Sequence, residues 1–288
     1  MTDRPIIDPL VDAATHALRA PSVFNSQPWR WRVGPGVLEL RTERERHLAV
    51  TDPDGRMLTI SCGAALHHAR TALAAAGYAT RTDRFPAGAG SDLLARVTVL
   101  GTQPAGPGDL ALAAAIPHRR TDRRAFGETP VPAEILERLR AVVTAEETAL
   151  HVVRPDQMPM LAVATARAAA TELADPAYRE EVAHWTHRPE GSGDGVPATA
   201  AVRQVPRRVP VRDYAPGGEP GLEAGTGNDR GATYALLHGS GDSPTAWVRA
   251  GEALSALLLT AVVEGLSAAP LSDTIEVQWP RQLMRDLI

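Results

Sequence analysis

The stretch from Arg19 to Trp31, Arg-Ala-Pro-Ser-Val-Phe-Asn-Ser-Gln-Pro-Trp-Arg-Trp, carries more information about the fold than any other part of the chain. Two prolines stiffen this short loop, and Ser22, Asn25 and Gln27 offer hydroxyl and amide groups that both donate and accept hydrogen bonds. A loop of this kind can read the edge of a flat heterocycle. The alternative is a simple turn in which the Asn and Ser side chains satisfy nearby backbone groups.

Regular elements are predicted on both sides of this loop from the spacing of apolar residues. Recurrence at helical spacing predicts helices, and alternation predicts strands with one wet face. Pro21 ends the first helix, and the turn at Gly34-Pro35-Gly36 predicts a hairpin. The predicted helices cover 7–20, 63–77, 109–116, 132–143, 158–173, 176–185 and 244–265, and the predicted strands cover 29–41 (the hairpin), 95–101, 149–153 and 232–238.

The composition is that of a globular protein and excludes several classes of function. The 288 residues are about twice the ~150 of a typical domain, and 44% are hydrophobic against 22% charged. A net charge of -4 argues against binding to nucleic acid or to an anionic membrane. No lysine occurs, which excludes Schiff-base and P-loop chemistry. A single cysteine and the absence of a run of about 18 apolar residues predict a soluble, cytoplasmic protein.

Between residues 186 and 231 the sequence becomes rich in Gly, Pro, Arg and Asp and loses any helical or strand period. Such a long irregular insert within a compact domain is either a functional lid or a disordered linker. The helix that follows, capped by Asp242 or Ser243, is apolar on nearly every face, so it is predicted to be central and buried.

Two of the predicted helices have similar sequences. Chance similarity between alanine-rich helices is one explanation. The double chain length and the strands beside each helix favour the other explanation, which is a duplicated fold. The positions that recur at the same offsets are Gly63, Ala65, Leu66 and Gly77 in the first helix and Gly251, Ala253, Leu254 and Gly265 in the second.

The loop resembles the pattern (A/S)-P-S-x-x-N-x-Q-P-W of the FMN-dependent nitroreductase family. A second segment, RRTDR, resembles the R-R-S-x-R segment of the same family, with threonine in place of serine and one extra residue before Phe126. On its own, this arginine run could be a solvated surface segment. The matched residues are Pro21, Ser22, Asn25, Gln27, Pro28 and Trp29 in the loop, and Arg119, Arg120, Thr121 and Arg123 in the arginine segment.

The order of the two motifs is inverted relative to ordinary nitroreductases, in which the arginine segment comes first and two identical subunits share each flavin. The chain is similar to the Acg-type branch of the family, in which one chain carries two complementary halves. The resemblance implies an α+β fold of antiparallel-rich sheets packed with helices. The two pseudo-symmetric halves are residues 1–105 and 106–288, the second carrying the insert 186–231. The chain is therefore expected to act as a monomer, and further oligomerisation stays open.

The resemblance also implies a site for FMN. Arg119, Arg120 and Thr121 belong to the segment that binds the flavin phosphate, and Arg123 is expected near the N1/O2 edge of the ring, because guanidinium groups pair well with phosphate and with added negative charge. The ring and ribityl oxygens are assigned to Ser22, Asn25 and Gln27. The N5 side of the ring is assigned to the backbone of Pro270, Leu271 and Ser272, and Pro21 lines the ring. The family also carries basic residues near the phosphate in a further C-terminal segment, and the sequence given ends at Ile288.

The expected reaction is a ping-pong transfer in which NAD(P)H reduces FMN and a nitroaromatic, quinone or similar acceptor oxidises it. Because the insert resembles a lid, the alternative is a protein that binds or sequesters FMN without turnover, and a scaffold without flavin is a third possibility. Other chemistry is not expected. Adjacent His67 and His68 point about 100° apart on a helix, so they cannot chelate a metal together. Cys62 is predicted to be a small buried residue rather than a nucleophile.

Overall fold

A computed structural model of the chain describes residues 7–186, 188–189 and 191–288. Its first part is a four-stranded antiparallel sheet ordered β1-β2-β4-β3, with helices against one face. The predicted hairpin is confirmed, whereas β3 and the first two turns of α2 were not predicted. The elements of this part are α1 (Ile7–Ala17), β1 (Trp29–Gly34), β2 (Val37–Thr42), α2 (Arg56–Ala75), β3 (Tyr78–Arg84) and β4 (Leu93–Thr102).

The second part is mainly helical and contains one antiparallel strand pair, β5 with β6. The predicted strand at 232–238 begins only at Ala235, and the helices α8 and α9 were not predicted. The elements are α3 (Pro107–Ala115), α4 (Ala133–Ala145), β5 (Ala149–Val152), α5 (Met158–Ala174), α6 (Pro176–Thr186), β6 (Ala235–His238), α7 (Pro244–Val263), α8 (Asp273–Glu276) and α9 (Gln278–Asp286).

The core of the first part lies between the sheet and the helices α1 and α2. Leu38 pairs with Val97 across the strands β2 and β4, and both side chains are fully buried. On β1, Arg30 and Arg32 are two residues apart and both are exposed. They share the outer face of the sheet because successive side chains of a strand point to opposite faces. The predicted α+β fold, with antiparallel sheets packed against helices, is confirmed.

The helices α2 and α7 cross where a glycine of one helix faces a glycine of the other. Each helix has 20 residues, and Gly63 and Gly251 occupy the same position within them. A Cβ atom added at Gly63 would overlap the carbonyl oxygen of Val248, and one added at Gly251 would overlap the carbonyl oxygen of Ile60. These contacts are reciprocal, since Ile60 and Val248 also occupy equal positions in the two helices. Backbones approach this closely only where neither residue carries a side chain.

A buried polar contact lies at the same crossing. The hydroxyl of Ser255 is 2.8 Å from Nδ1 of both His67 and His68. Burial lowers the pKa of both imidazoles to about 3, so both rings are neutral at pH 7. Because Nδ1 of His68 also faces the carbonyl oxygen of Ala64, it carries the proton, and the hydroxyl donates to His67.

Among the described helices, α7 is the one that is long and apolar enough, by length and composition, to cross a membrane. Arg249 and Glu252 interrupt this helix, so it contains no unbroken run of about 18 apolar residues, in agreement with the sequence-based expectation. In the structure this helix packs against α2, α3 and α4, and Ala253 and Leu259 on it are fully buried. The predicted central, buried position of the helix is confirmed. The hydroxyl of Ser243 accepts a hydrogen bond from the backbone N–H of Ala246, which confirms its predicted capping role.

Candidate functional site

The loop that precedes β1 has a strained backbone. Phe24, Asn25 and Gln27 have φ values of 51°, 53° and 50°, in the left-handed region that costs a non-glycine residue about 1–2 kcal/mol. The backbone N–H of Gln27 donates to the hydroxyl oxygen of Ser22 at 3.0 Å, which closes the loop on itself. Strain of this kind persists only where neighbouring groups hold the backbone, and it is concentrated at functional sites.

Several elements hold this loop in place. Arg46 donates to the carbonyl oxygen of Ser26 at 2.9 Å, and the Cys62 thiol on α2 donates to the carbonyl oxygen of Pro28 at 3.4 Å. Complete burial raises the pKa of that thiol, so Cys62 is an inert core residue, as predicted. The Phe24 ring is buried, and the guanidinium of Arg212 lies 4.8 Å from its centroid.

The arginine segment meets this loop, although the two are far apart in sequence. Arg119 donates to the carbonyl oxygen of Arg19 at 3.3 Å, across a separation of 100 residues. On its other side, Asp122 N–H donates to the carbonyl oxygen of Ala268 at 3.0 Å, and Thr121 forms a parallel bridge with the same residue. The arginine segment therefore contacts the start of the loop and Ala268, which lies two residues before the predicted segment 270–272.

Two guanidinium groups of the arginine segment carry buried N–H groups without partners. Within the described part of the chain, Nε and Nη1 of Arg119 and Nε of Arg123 donate to no protein acceptor. Burial, followed by repulsion from Arg120 and Arg123, lowers the pKa of Arg119 to about 10, so it stays charged at pH 7. A buried cation with free donors favours an anionic, oxygen-rich ligand, and a phosphate group fits that description.

The insert contacts the loop through the two amide side chains. Nδ2 of Asn25 donates to the carbonyl oxygen of Gly195 at 3.1 Å, and Nε2 of Gln27 donates to that of Gly193 at 2.6 Å. The N–H of Gly195 donates back to the carbonyl oxygen of Asn25 at 3.1 Å. Both glycines have φ near +75°, which glycine adopts without strain. This part of the insert is therefore folded against the loop.

The other predicted site residues make contacts elsewhere or are half-buried. Arg120 is exposed and donates to carbonyl oxygens of its own segment, at Pro117 and Arg119. Leu271 packs into an apolar cluster with residues of α5 and α9. The carbonyl oxygen of Ser272 accepts hydrogen bonds from the first turn of α8. Pro21 and Pro270 are half-buried.

A cluster of acidic side chains lies beneath the Phe24 ring. Arg212 is fully buried and pairs with Asp273 at 2.9 Å and with Glu276 at 2.6 Å. The Glu172 carboxyl is hydrogen-bonded to Glu276, and burial, opposed by Arg212 and reinforced by the two acidic neighbours, raises the pKa of Glu172 to about 9. Glu172 therefore stays protonated at pH 7, and its carboxyl group donates a hydrogen bond to the Glu276 carboxylate.

Replacing this glutamic acid gives a test with a defined pH dependence. The folded protein binds one more proton than the unfolded chain between the ordinary pKa of 4.5 and about 9, so its stability falls as pH rises through that window. Glu172→Gln keeps a donor toward Glu276 without a proton to lose. We expect its melting temperature to exceed that of the wild type by at least ~3 °C at pH 8, with the difference shrinking toward pH 5. If the melting temperatures of the wild type and of Glu172→Gln depended on pH in the same way, the proton held between Glu172 and Glu276 would be contradicted. The control is Glu180→Gln, which changes an exposed carboxyl on α6.

Sequence reasoning missed several residues that shape the site. The arginine run of the insert and its GSGDG stretch at 191–195 were the signals available, but a segment without periodicity does not reveal which residues dock. The missed residues are Phe24, Arg46, Asp194, Arg212 and Tyr214.

The chain belongs to the NAD(P)H nitroreductase family. It is 40% identical over 278 residues to Rv3131 of Mycobacterium tuberculosis H37Rv, which is named as an NAD(P)H nitroreductase, and the match covers 94% of this chain and 78% of that protein. It is 34% identical over 283 residues to Acg of the same strain, which has the same kind of name, covering 98% of this chain and 85% of Acg. A third relative, Rv3127, has no assigned function and is 35% identical over 290 residues. No family model matches the chain. The family predicted from the two motifs is confirmed.

Proposed function

We propose that the protein is an FMN-binding oxidoreductase that uses NAD(P)H to reduce a nitroaromatic, a quinone or a similar acceptor. The observation that carries this proposal is Arg119, which joins the arginine segment to the loop and keeps two buried N–H groups without a partner among the described residues. Leaving buried donors unpaired costs about 1–3 kcal/mol, and a phosphate would recover that cost. The names of the relatives support the same class of reaction.

The side chains fit FMN by their chemistry. Arg119 and Thr121 would hold its phosphate, and Arg123 would place a cation at the ring edge where negative charge collects. Asn25 and Gln27 would donate to its carbonyl and ribityl oxygens. Bound FMN would supply hydride acceptance and release, and the protein would supply orientation, positive charge and restricted access of water.

A second candidate function is flavin binding without turnover. The observation that favours it is the docking of Gly193 and Gly195 of the insert on the two amide side chains of the loop. A segment fixed against the loop would also restrict the approach of NAD(P)H. Flavin binding without turnover needs the same binding residues as the oxidoreductase. The two functions differ in whether NAD(P)H can reach the bound flavin.

Anaerobic mixing of the FMN-loaded protein with NADH or with NADPH separates these functions. An oxidoreductase is expected to lose the absorption of oxidised flavin within minutes and to regain it when a quinone is added. Free FMN at the same concentration, mixed with the same nucleotide, is the control. Retained flavin that neither nucleotide bleaches would contradict the oxidoreductase proposal and support the second function. A chain that retains no flavin would contradict both.

We also propose that the chain is a fused pseudo-dimer that acts as a monomer, with its halves at 1–105 and 106–288. The reciprocal contact of Gly63 and Gly251 supports this, because a two-fold axis brings equivalent residues together. The order of elements supports it too, since α1, β1, β2 and α2 are matched by α4, β5, β6 and α7. In the second half, α5, α6 and the insert together lie between the paired strands β5 and β6, where the first half has only the hairpin turn at Pro35 and Gly36. The cytoplasmic location stays a prediction.

A further inference from the structure

A polar cavity lies between the segment that leads into α2 and the helices α8 and α9. Its volume is about 320 Å³, at the lower end of the range for sites that bind small molecules. Its lining includes Asp52, whose side chain is 4% exposed, and Asp54, whose side chain is 61% exposed. The cavity therefore extends from solvent to a buried carboxylate. None of its lining residues belongs to the segments predicted to bind FMN.

Two of the charged side chains that line the cavity already have strong partners. Arg56 donates from Nε and Nη2 to both carboxylate oxygens of Asp242, and its guanidinium lies 4.9 Å from the centroid of the Trp247 ring. Glu276 accepts a hydrogen bond from Arg212 at 2.6 Å. Both of these charges are therefore compensated within the protein.

The carboxylate of Asp52 has weaker compensation. It accepts a hydrogen bond from the backbone N–H of Leu58 at 2.8 Å. In the part of the chain that the structure describes, the one basic side chain within 4 Å of it is His47, at 3.9 Å. Burial raises the pKa of Asp52, backbone N–H groups and His47 oppose this shift, and Glu276 adds to it. A cationic group in the cavity would stabilise this carboxylate.

The guanidinium of Arg281 has the opposite need. It donates from Nη1 to the carbonyl oxygen of Ile275 at 3.3 Å, and among the described residues no carboxylate lies within 4 Å of it. Burial, followed by repulsion from Arg56 and Arg285, lowers the pKa of Arg281. Asp52 and Arg281 thus line the same cavity with opposite charges and form no ion pair with each other in the described chain.

We infer that this cavity binds a small zwitterion of the α-amino acid class, with its ammonium group on Asp52 and its carboxylate on Arg281. A guanidinium binds a carboxylate through two parallel N–H···O hydrogen bonds, and an ammonium group donates up to three. A ligand with a single charge would leave the other side chain buried without a partner, which is unfavourable.

A metal ion suits the cavity less well than a zwitterion. Among the described residues, no three His, Cys, Asp or Glu side chains come together as a set that could hold a metal ion. The cavity also carries guanidinium groups, which repel a cation. The inference does not depend on the proposed FMN site, so either can fail without the other.

Calorimetric titration of the full chain with each of the common L-amino acids tests this inference. We expect at least one of them to bind. Two analogues of that amino acid are then titrated, the acid that lacks its ammonium group and the amine that lacks its carboxylate. Each should bind at least about tenfold more weakly, because each loses one charge-assisted interaction.

Two substitutions in the cavity test the assigned contacts. Arg281→Gln removes the cation, and Asp52→Asn removes the anion but keeps an oxygen for the N–H of Leu58. Each should weaken binding of the amino acid by at least about tenfold. The matched control is Arg285→Gln, which changes an exposed arginine of the same helix that does not line the cavity and should leave the affinity unchanged. A cooperative melt shows that each variant is folded.

Methyl NMR of methionine locates the ligand without relying on a cavity variant that has to fold. Met57 lines the cavity, whereas Met160 is 40% exposed on α5 and does not. In wild-type protein labelled at the methionine methyl groups, the amino acid should shift the Met57 signal and leave the Met160 signal in place. The Met57 signal is assigned by its loss in Met57→Leu.

The inference is wrong if no amino acid binds to the wild type. It is also wrong if the analogue that lacks the ammonium group or the carboxylate binds as tightly as the amino acid, since the cavity would then recognise one charge only. Unchanged affinity in both Arg281→Gln and Asp52→Asn, or an unshifted Met57 signal, would place the ligand elsewhere on the protein. Displacement of the amino acid by FMN would place it in the proposed flavin site.

Discussion

Gly251→Ala is expected to lower the melting temperature of the protein by about 6–12 °C, through a loss of about 3 kcal/mol of stability. The added methyl group would overlap the carbonyl oxygen of Ile60 and lie 2.8 Å from Cα of Gly63. Both obstacles are backbone atoms, so no side chain can rotate away, and the helices α2 and α7 must separate. Alanine favours a helix over glycine by at most about 1 kcal/mol, which is too little to offset the overlap.

The control for this prediction is another helical glycine. Gly108 lies in α3, and a Cβ atom added there would have no neighbour within 4 Å. Gly108→Ala should therefore be neutral or stabilising by up to about 1 kcal/mol. Thermal unfolding followed by circular dichroism measures both variants. Equal melting temperatures for Gly251→Ala and the wild type would contradict the close crossing of the two helices.

Arg119→Met is expected to change stability and flavin binding in opposite directions. Without ligand, methionine removes two buried N–H groups that have no partner in the part of the chain the structure describes, so the melting temperature should rise by about 2–4 °C. With FMN, the loss of two charge-assisted hydrogen bonds to the phosphate should weaken the Kd by about 100-fold, since each 1.4 kcal/mol is tenfold. Calorimetric titration with FMN and thermal unfolding without it give the two quantities.

Arg140→Met serves as the matched control for this variant. Arg140 lies on the exposed surface of α4 and pairs with Glu137 of the same helix, away from the loop and the arginine segment. Its replacement should change neither the FMN affinity nor the melting temperature appreciably. If Arg119→Met bound FMN as tightly as the wild type, the assignment of this guanidinium to the phosphate would be wrong.

The sequence motifs predicted the family more successfully than the periodicity predicted the bounds of the helices and strands. Pro21, Asn25 and Gln27 could be recognised because a fixed loop requires particular residue types at fixed spacing. The strand β3 was missed because its sequence, YATRTDR, has no apolar alternation of its own. Its last residue, Arg84, forms a bidentate pair with the fully buried Glu252 of α7, and a partner so distant in sequence leaves no local signal.

The early start of α2 has a similar cause. Residues 56–62, RMLTISC, include β-branched and small polar residues with modest helix propensity, so local sequence does not favour a helix there. The carboxylate of Asp52 accepts from the N–H of Leu58 at 2.8 Å, and Met57 and Cys62 are buried. Tertiary burial and a cap placed several residues upstream decide where this helix begins.

The amino-acid sequence by itself determined the family and the α+β class, because the motifs of a stiff loop and an arginine segment depend on residue type and local spacing. The segments proposed for the site come from the same motifs. Only the tertiary structure decided which groups of that site are engaged. It placed Asn25 and Gln27 on carbonyl oxygens of the insert and left two N–H groups of Arg119 without a partner in the described chain. The physical reason is that hydrogen bonds and ion pairs between residues 100 or more positions apart depend on how the elements pack, and sequence spacing carries no record of that packing.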